Sequence, residues 1–124
     1  MPFFPSDKIE VRQVRGKGRG VFARVSIAER EIIETVPVLV LSETDMEQTE
    51  LAGYCFLWGR GTVALPLGYG ALYNHSITPN AEYVDRAPRT KVFRALREIA
   101  PGEEITINYN GTPDDDSPVG FDVI

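Results

Sequence analysis

The sequence predicts a compact mostly-β domain of the α+β kind, with at most one or two short helices. Three observations carry that expectation. Short stretches alternate apolar with polar residues or run rich in β-branched ones. Eleven glycines and nine prolines divide the chain at frequent intervals. Only one stretch, 42–59, has the caps and length of a helix.

The elements follow in chain order. KIEVRQV (8–14) alternates as a half-buried strand does. GKGRG (16–20) interrupts it, and VFARV (21–25) resumes extended structure. EIIETVPVLVLS (31–42) is a β-branched run in which Pro37 predicts a bend or an edge. In SETDMEQTELAGYCFLWG (42–59), Ser42 with Asp45, or Thr44 with Glu47, would cap a helix that Gly53 ends. TVALPLG (62–68) is again extended, and GYGALYNHSITPNAEYV (68–84) reads as irregular. TKVFRALREI (90–99) is a strand. Pro101-Gly102 signals a type II turn, and EEITINY (103–109) alternates as a strand. The remainder, from Asn110, is polar and turn-rich.

Composition bounds the function. A length of 124 residues suits one domain with one core. No apolar run approaches the roughly 20 residues that span a bilayer, and the N-terminus lacks the pattern of a secretory signal, so an intracellular, non-membrane protein is expected. Cys55 is the single cysteine and His75 the single histidine, so neither an internal disulfide nor a Cys/His metal cluster can form. The net charge of −5 disfavours direct nucleic-acid binding and favours a basic protein partner.

Three stretches bear on chemistry. GKGRGVFA (16–23) is not a phosphate loop, because β-branched and aromatic residues follow the glycines where a helix would be needed. It reads as a hairpin with glycines at positive φ, or as backbone made for close approach to a ligand. NHSITPN (74–80) offers polar groups on an irregular loop, either for binding or as Asx turns in which Asn74 and Asn80 bond their own backbone. Cys55, in the apolar run YCFLW, reads as a buried, inert core thiol. IAPGEEITINY (99–109) ends a strand on a tyrosine, alone most simply a packing residue.

Together, and in this order, GRGVFA, LYNHSITPN and PGEEITINY resemble the SET domain, the fold of most protein lysine methyltransferases. The resemblance covers about residues 8–110 of a single domain spanning 1–124, with 111–124 as a tail. It implies a β-clip fold of several small sheets with a C-terminal pseudoknot. It implies S-adenosylmethionine as cofactor and a lysine side-chain amine as acceptor. The Asn-His pair would then bind the cofactor, Asn74 through its side chain. His75 would act through its backbone and packing, as a positioning residue. Gly18, Arg19 and Gly20 would cover the methionine part, with Lys17 and Arg19 as partners for its carboxylate. Tyr109 matches the catalytic tyrosine. Tyr54 is the expected second channel aromatic, with Trp58 and Tyr69 as alternatives.

Departures from the family pattern are informative too. Ile77 stands where many members have a zinc-binding cysteine, and the tail has no cysteine, so no zinc cluster is expected. Ala71 and Leu72 stand near the place of a family arginine. Phe121 would stack on the adenine in place of the zinc-bound segment. Ile107, in the channel where the family often has Phe or Tyr, would leave room for di- or trimethylation. The zinc-free form resembles compact prokaryotic and viral members. The expected partner is a basic, histone-like protein, steered by Asp114, Asp115 and Asp116, with a homodimer covering the channel wall. The expected location is cytoplasmic in a bacterium and nuclear for a viral or eukaryotic protein. A catalytically inactive SET module serving protein interaction is the alternative, opposed by the retained Asn-His pair and Tyr109.

Overall fold

The computed structural model describes residues 3–16 and 18–117. The chain forms β1 (Ile9–Val14), β2 (Gly18–Ala23), β3 (Ile32–Ser42), α1 (Glu43–Met46), a 3-10 turn (Glu50–Tyr54), β4 (Phe56–Leu57), β5 (Thr62–Pro66), β6 (Asn74–His75), β7 (Ala81–Arg86), β8 (Thr90–Ala95) and β9 (Glu104–Ile107). Two sheets result, in the orders β1-β2-β9-β6 and β4-β5-β3-β8-β7. This is the expected mostly-β architecture. The core lies between the sheets and takes Val21 and Ile9 from one, Ile33, Val36 and Phe93 from the other, and Ile105 and Ile107 from β9.

The turns follow from residue type. Gly16 and Gly18 hold φ near +82° at the β1–β2 corner, so the hairpin reading of the glycine run is met. Gly102, at φ +85°, sits where the Glu103 N–H bonds the Ala100 carbonyl at 3.1 Å, a type II geometry. Pro37 stands where β3 passes from pairing with β8 to pairing with β5, so its missing N–H interrupts neither ladder's centre.

Two expectations need correction. Residues 42–59 are not one helix. Ser42 does cap α1, accepting from the Asp45 N–H at 3.5 Å. Thr49 then caps again, accepting from the Leu51 N–H at 3.2 Å, and starts a 3-10 turn that runs through Gly53 to Tyr54. Phe56–Leu57 leave as strand, paired with Ala64 and Val63. No residue of either short helix is buried, so no apolar face holds a longer one. The stretch 68–84 is also less irregular than expected, since Ala81–Arg86 pair along their whole length with β8.

The strand that positions the site is β9. It pairs antiparallel with β2 through Val21↔Ile105 and Phe22↔Glu104. On its other side it pairs in parallel with β6, Asn74↔Thr106 and His75↔Ile107. The connection between β6 and β9 passes through the β7–β8 hairpin of the other sheet. The late strand thus inserts between early and middle segments, as the pseudoknot requires.

Candidate active site

The β6–β9 pairing brings NHS and the terminal tyrosine together. The Tyr109 N–H donates to His75 Nδ1 at 3.0 Å, and the two rings lie 5.1 Å apart. His75 is 4% exposed, and burial lowers its pKa, so the neutral, accepting form is the one the fold selects. The Tyr109 hydroxyl donates to the Tyr73 carbonyl at 2.6 Å. Burial, helped by the negative charge of Glu104, pushes the Tyr109 phenol up to about 12. Tyr109 is therefore a neutral hydrogen-bonding group across the physiological range.

Two cavities meet at this tyrosine. The larger, about 580 Å³, is walled by Tyr54, Phe56, Tyr73, Tyr83 and Tyr109 and carries the carboxylates of Glu43, Glu47 and Asp85. The smaller, about 380 Å³, is formed by Gln13, Gly18, Arg19, Leu72 and Asn74. Gly53, Tyr54, Ala71 and Tyr109 line both. A polar pocket and an aromatic pocket joined at one phenol form an arrangement for transferring a small group between two bound molecules.

The glycine strand closes tightly over the smaller cavity's floor. A Cβ on Gly20 would stand 2.8 Å from Asn74 Nδ2 and against the Glu104 carboxylate, so only glycine fits. Asn74 Nδ2 donates to the Arg19 carbonyl at 3.0 Å and to Glu104 Oε2 at 2.7 Å. Its amide nitrogen thus ties β2 to β9, which leaves its carbonyl oxygen to serve the cavity.

Placement divides the expected residues. Tyr109, Tyr54, Asn74, Gly18 and Arg19 come together around the cavities, with His75 and Gly20 directly behind them. Lys17 and Phe121 lie outside the described residues. Trp58 lines neither cavity; its ring stands 5.8 Å from Lys91 Nζ, beyond the cavity's aromatic wall. Tyr69 lines neither either; it stands in the turn after β5, its N–H held by Glu34, and borders a separate pocket with Phe3, Phe4 and Leu67. Ile107 is fully buried in the core, so its size gives no support to the argument about methyl number. Cys55 is half-buried on the larger cavity's wall and not in the core, with its thiol pKa raised by burial. Asp114, Asp115 and Asp116 line neither cavity; other carboxylates stand there instead.

Sequence reasoning missed several residues. Asn80 does not turn back on its own backbone. It is 3% exposed and clamps β9, with Oδ1 accepting from the Thr106 N–H at 2.9 Å and Nδ2 donating to the Glu104 carbonyl at 2.8 Å. Tyr83 lines the larger cavity and donates to the Tyr109 carbonyl at 3.5 Å. Behind it Lys91, 0% exposed, pairs with Asp85 at 2.5 Å and lies 4.3 Å from the ring centres of both Phe56 and Tyr83. Of these only Asn80, at the end of NHSITPN, carries a sequence signal, and neither a binding loop nor an Asx turn describes the clamp it forms.

Comparison with known proteins agrees with this geometry. The SET domain family model matches residues 18–110. A Schizosaccharomyces pombe protein, "Histone-lysine N-methyltransferase, H3 lysine-37 specific", is 38% identical over 106 residues, covering 82% of this chain and 72% of the relative. A crystal structure of a Plasmodium falciparum candidate histone methyltransferase superposes with a TM-score of 0.74 at 32% identity, covering 85% of this chain and 95% of that one. The chain belongs to the SET-domain family of protein lysine methyltransferases.

Proposed function

We propose that the protein transfers a methyl group from S-adenosylmethionine to the side-chain amine of a lysine in a basic, histone-like protein. The observation that carries this reading is Tyr109 standing at the junction of a polar and an aromatic cavity. The smaller cavity fits the cofactor's polar end. Gly18 faces open space there, and Gln13, Arg19 and Asn74 offer donors and acceptors. Bound there, S-adenosylmethionine would supply a methyl group already activated on sulfur. The pairing of the relative with histone H3 supports a histone-type substrate and, in a eukaryote, a nuclear site of action. Among the described residues, no helix is long and apolar enough to cross a membrane.

The protein's own residues divide the remaining work. Glu43 and Glu47 give the larger cavity a negative charge that draws in a protonated lysine, while the Asp85 carboxylate is already paired with Lys91. As the aromatic walls displace its water, the ammonium gives up its proton to the departing solvent, leaving the neutral amine needed for attack. Tyr109, protonated and bonded to the Tyr73 carbonyl, orients the acceptor and does not take its proton. His75 fixes the Tyr109 backbone.

The test is methyl transfer from labelled cofactor to histones and other basic proteins, beside Tyr109→Phe. Loss of the hydroxyl is expected to lower kcat by about a hundredfold, because the reacting atoms lose their alignment. Unchanged transfer by the variant would remove Tyr109 from the mechanism. Failure to bind the cofactor at all would favour a non-catalytic interaction module.

A further inference from the structure

Glu34 is a carboxylate with 5% exposure in the middle of the second sheet, and neither cavity at Tyr109 includes it. A bulge near the start of β3 precedes it, after which Glu34, Val36 and Val38 alternate toward the interior. Both of its oxygens are used. Oε2 accepts the Tyr69 N–H at 3.0 Å, and Oε1 accepts the Tyr73 hydroxyl at 2.9 Å. Gly68 makes room for this approach, since a Cβ there would stand 2.7 Å from Oε2.

Those two partners are the ends of one short segment. From Tyr69 the chain makes a turn, closed by the Leu72 N–H on the Tyr69 carbonyl at 2.9 Å, and reaches Tyr73. Within it Ala71 lines both cavities, Leu72 the smaller and Tyr73 the larger. Tyr73 is itself held at both ends. Its ring, 1% exposed, stacks on Phe93 at 4.4 Å and ends on Glu34, while its carbonyl takes the Tyr109 hydroxyl. A shift at the ring end therefore moves the carbonyl that aims Tyr109.

We propose that Glu34 is a positioning residue for methyl transfer: it clamps both ends of segment 69–73, the wall between the cavities, and through Tyr73 sets the direction of the Tyr109 hydroxyl. The inference rests on the role given to Tyr109 above. It assigns Glu34 no contact with substrate or cofactor.

The experiment compares Glu34→Gln, Glu34→Met and Tyr73→Phe with wild type. Glutamine can keep both bonds, its oxygen taking the Tyr69 N–H and its amide donating to a rotated Tyr73 hydroxyl. Methionine can make neither bond. Steady-state kinetics are measured together with the Tyr109 Cζ resonance of tyrosine-labelled protein, assigned with Tyr109→Phe. Glu34→Met and Tyr73→Phe are expected to lower kcat about tenfold, with both KM values near wild type, as misalignment without lost binding requires. The Tyr109 resonance should shift in both, and Glu34→Gln should restore most of the rate and the original resonance. Folded variants with unchanged kcat and an unmoved resonance would overturn the proposal. So would a loss that glutamine fails to restore. If Glu34→Met does not fold, Tyr73→Phe, which keeps the ring on Phe93, decides. If wild type methylates nothing, the reading of Tyr109 fails, and the resonance alone decides whether the clamp exists.

Discussion

The imidazole of His75 is buried and accepts a backbone N–H, so protonation removes the acceptor at Nδ1 and puts a charge where water is scarce. Burial lowers its pKa below the ordinary 6.5. Between that lowered value and 6.5 the unfolded chain binds more protons than the folded one. His75 thus contributes stability that is fully present above 6.5 and lost as pH falls through the folded pKa. The denaturant midpoint of wild type should fall with acidification below about 6.5, and His75→Gln should flatten that dependence. A parallel fall in both proteins would assign the slope elsewhere. His75 and Tyr109 were legible because a motif placed them. Glu34 and Lys91 were not: each is a charged residue in a strand, which ordinarily faces water. Glu34 is buried by partners 35 and 39 residues further on. Lys91 is buried by Phe56, Tyr83 and Asp85, which come from two other strands. Glu34's partners and Phe56 lie outside any local pattern, and Tyr83 and Asp85 reach Lys91 only once the β7–β8 hairpin has formed.

At the scale of elements, most strands were readable from alternation and turn residues, because those signals act within a few residues. The helix was overestimated for a related reason. Ser42 and its acidic neighbours do start one, but continuation needs an apolar face against the core, and Thr49 caps anew before one arises. Asn80 shows the opposite case, a side chain acting as a missing strand. It supplies β9 with a donor and an acceptor, at Glu104 and Thr106, in the manner of a neighbouring backbone. Asn80→Ala should leave that N–H and carbonyl without these partners and cost about 2–4 kcal/mol, two bonds with part of the burial penalty. Chemical denaturation measures this directly. Because β9 leads into Tyr109 beside His75, the variant should also lose turnover. A stability change within about 0.5 kcal/mol would show that solvent replaces the amide fully.

At the scale of the whole molecule, the threading of β9 does more than complete a sheet. It puts Tyr109 between one cavity built from the β1–β2 hairpin and another built around α1, the 3-10 turn and β7. Because different elements supply the outer walls, a ligand in each cavity would have its own set of contacts, and among the described residues only Gly53, Tyr54, Ala71 and Tyr109 are shared. Neither ligand needs the other to leave before it can bind. Transfer at Tyr109 should therefore occur in a complex holding both, without a methylated enzyme between half-reactions. Initial-rate plots at several peptide concentrations should intersect, and the demethylated cofactor product should compete with cofactor but not with peptide. Cofactor alone should raise Tm, as a ligand bound only to the folded state does. Parallel lines in the rate plots would require a covalent methyl carrier on the protein. Cys55, on the larger cavity's wall, is the nucleophile to examine in that case, though burial raises its pKa and works against the reactive thiolate. The intersecting pattern is what two cavities meeting at one neutral phenol predict.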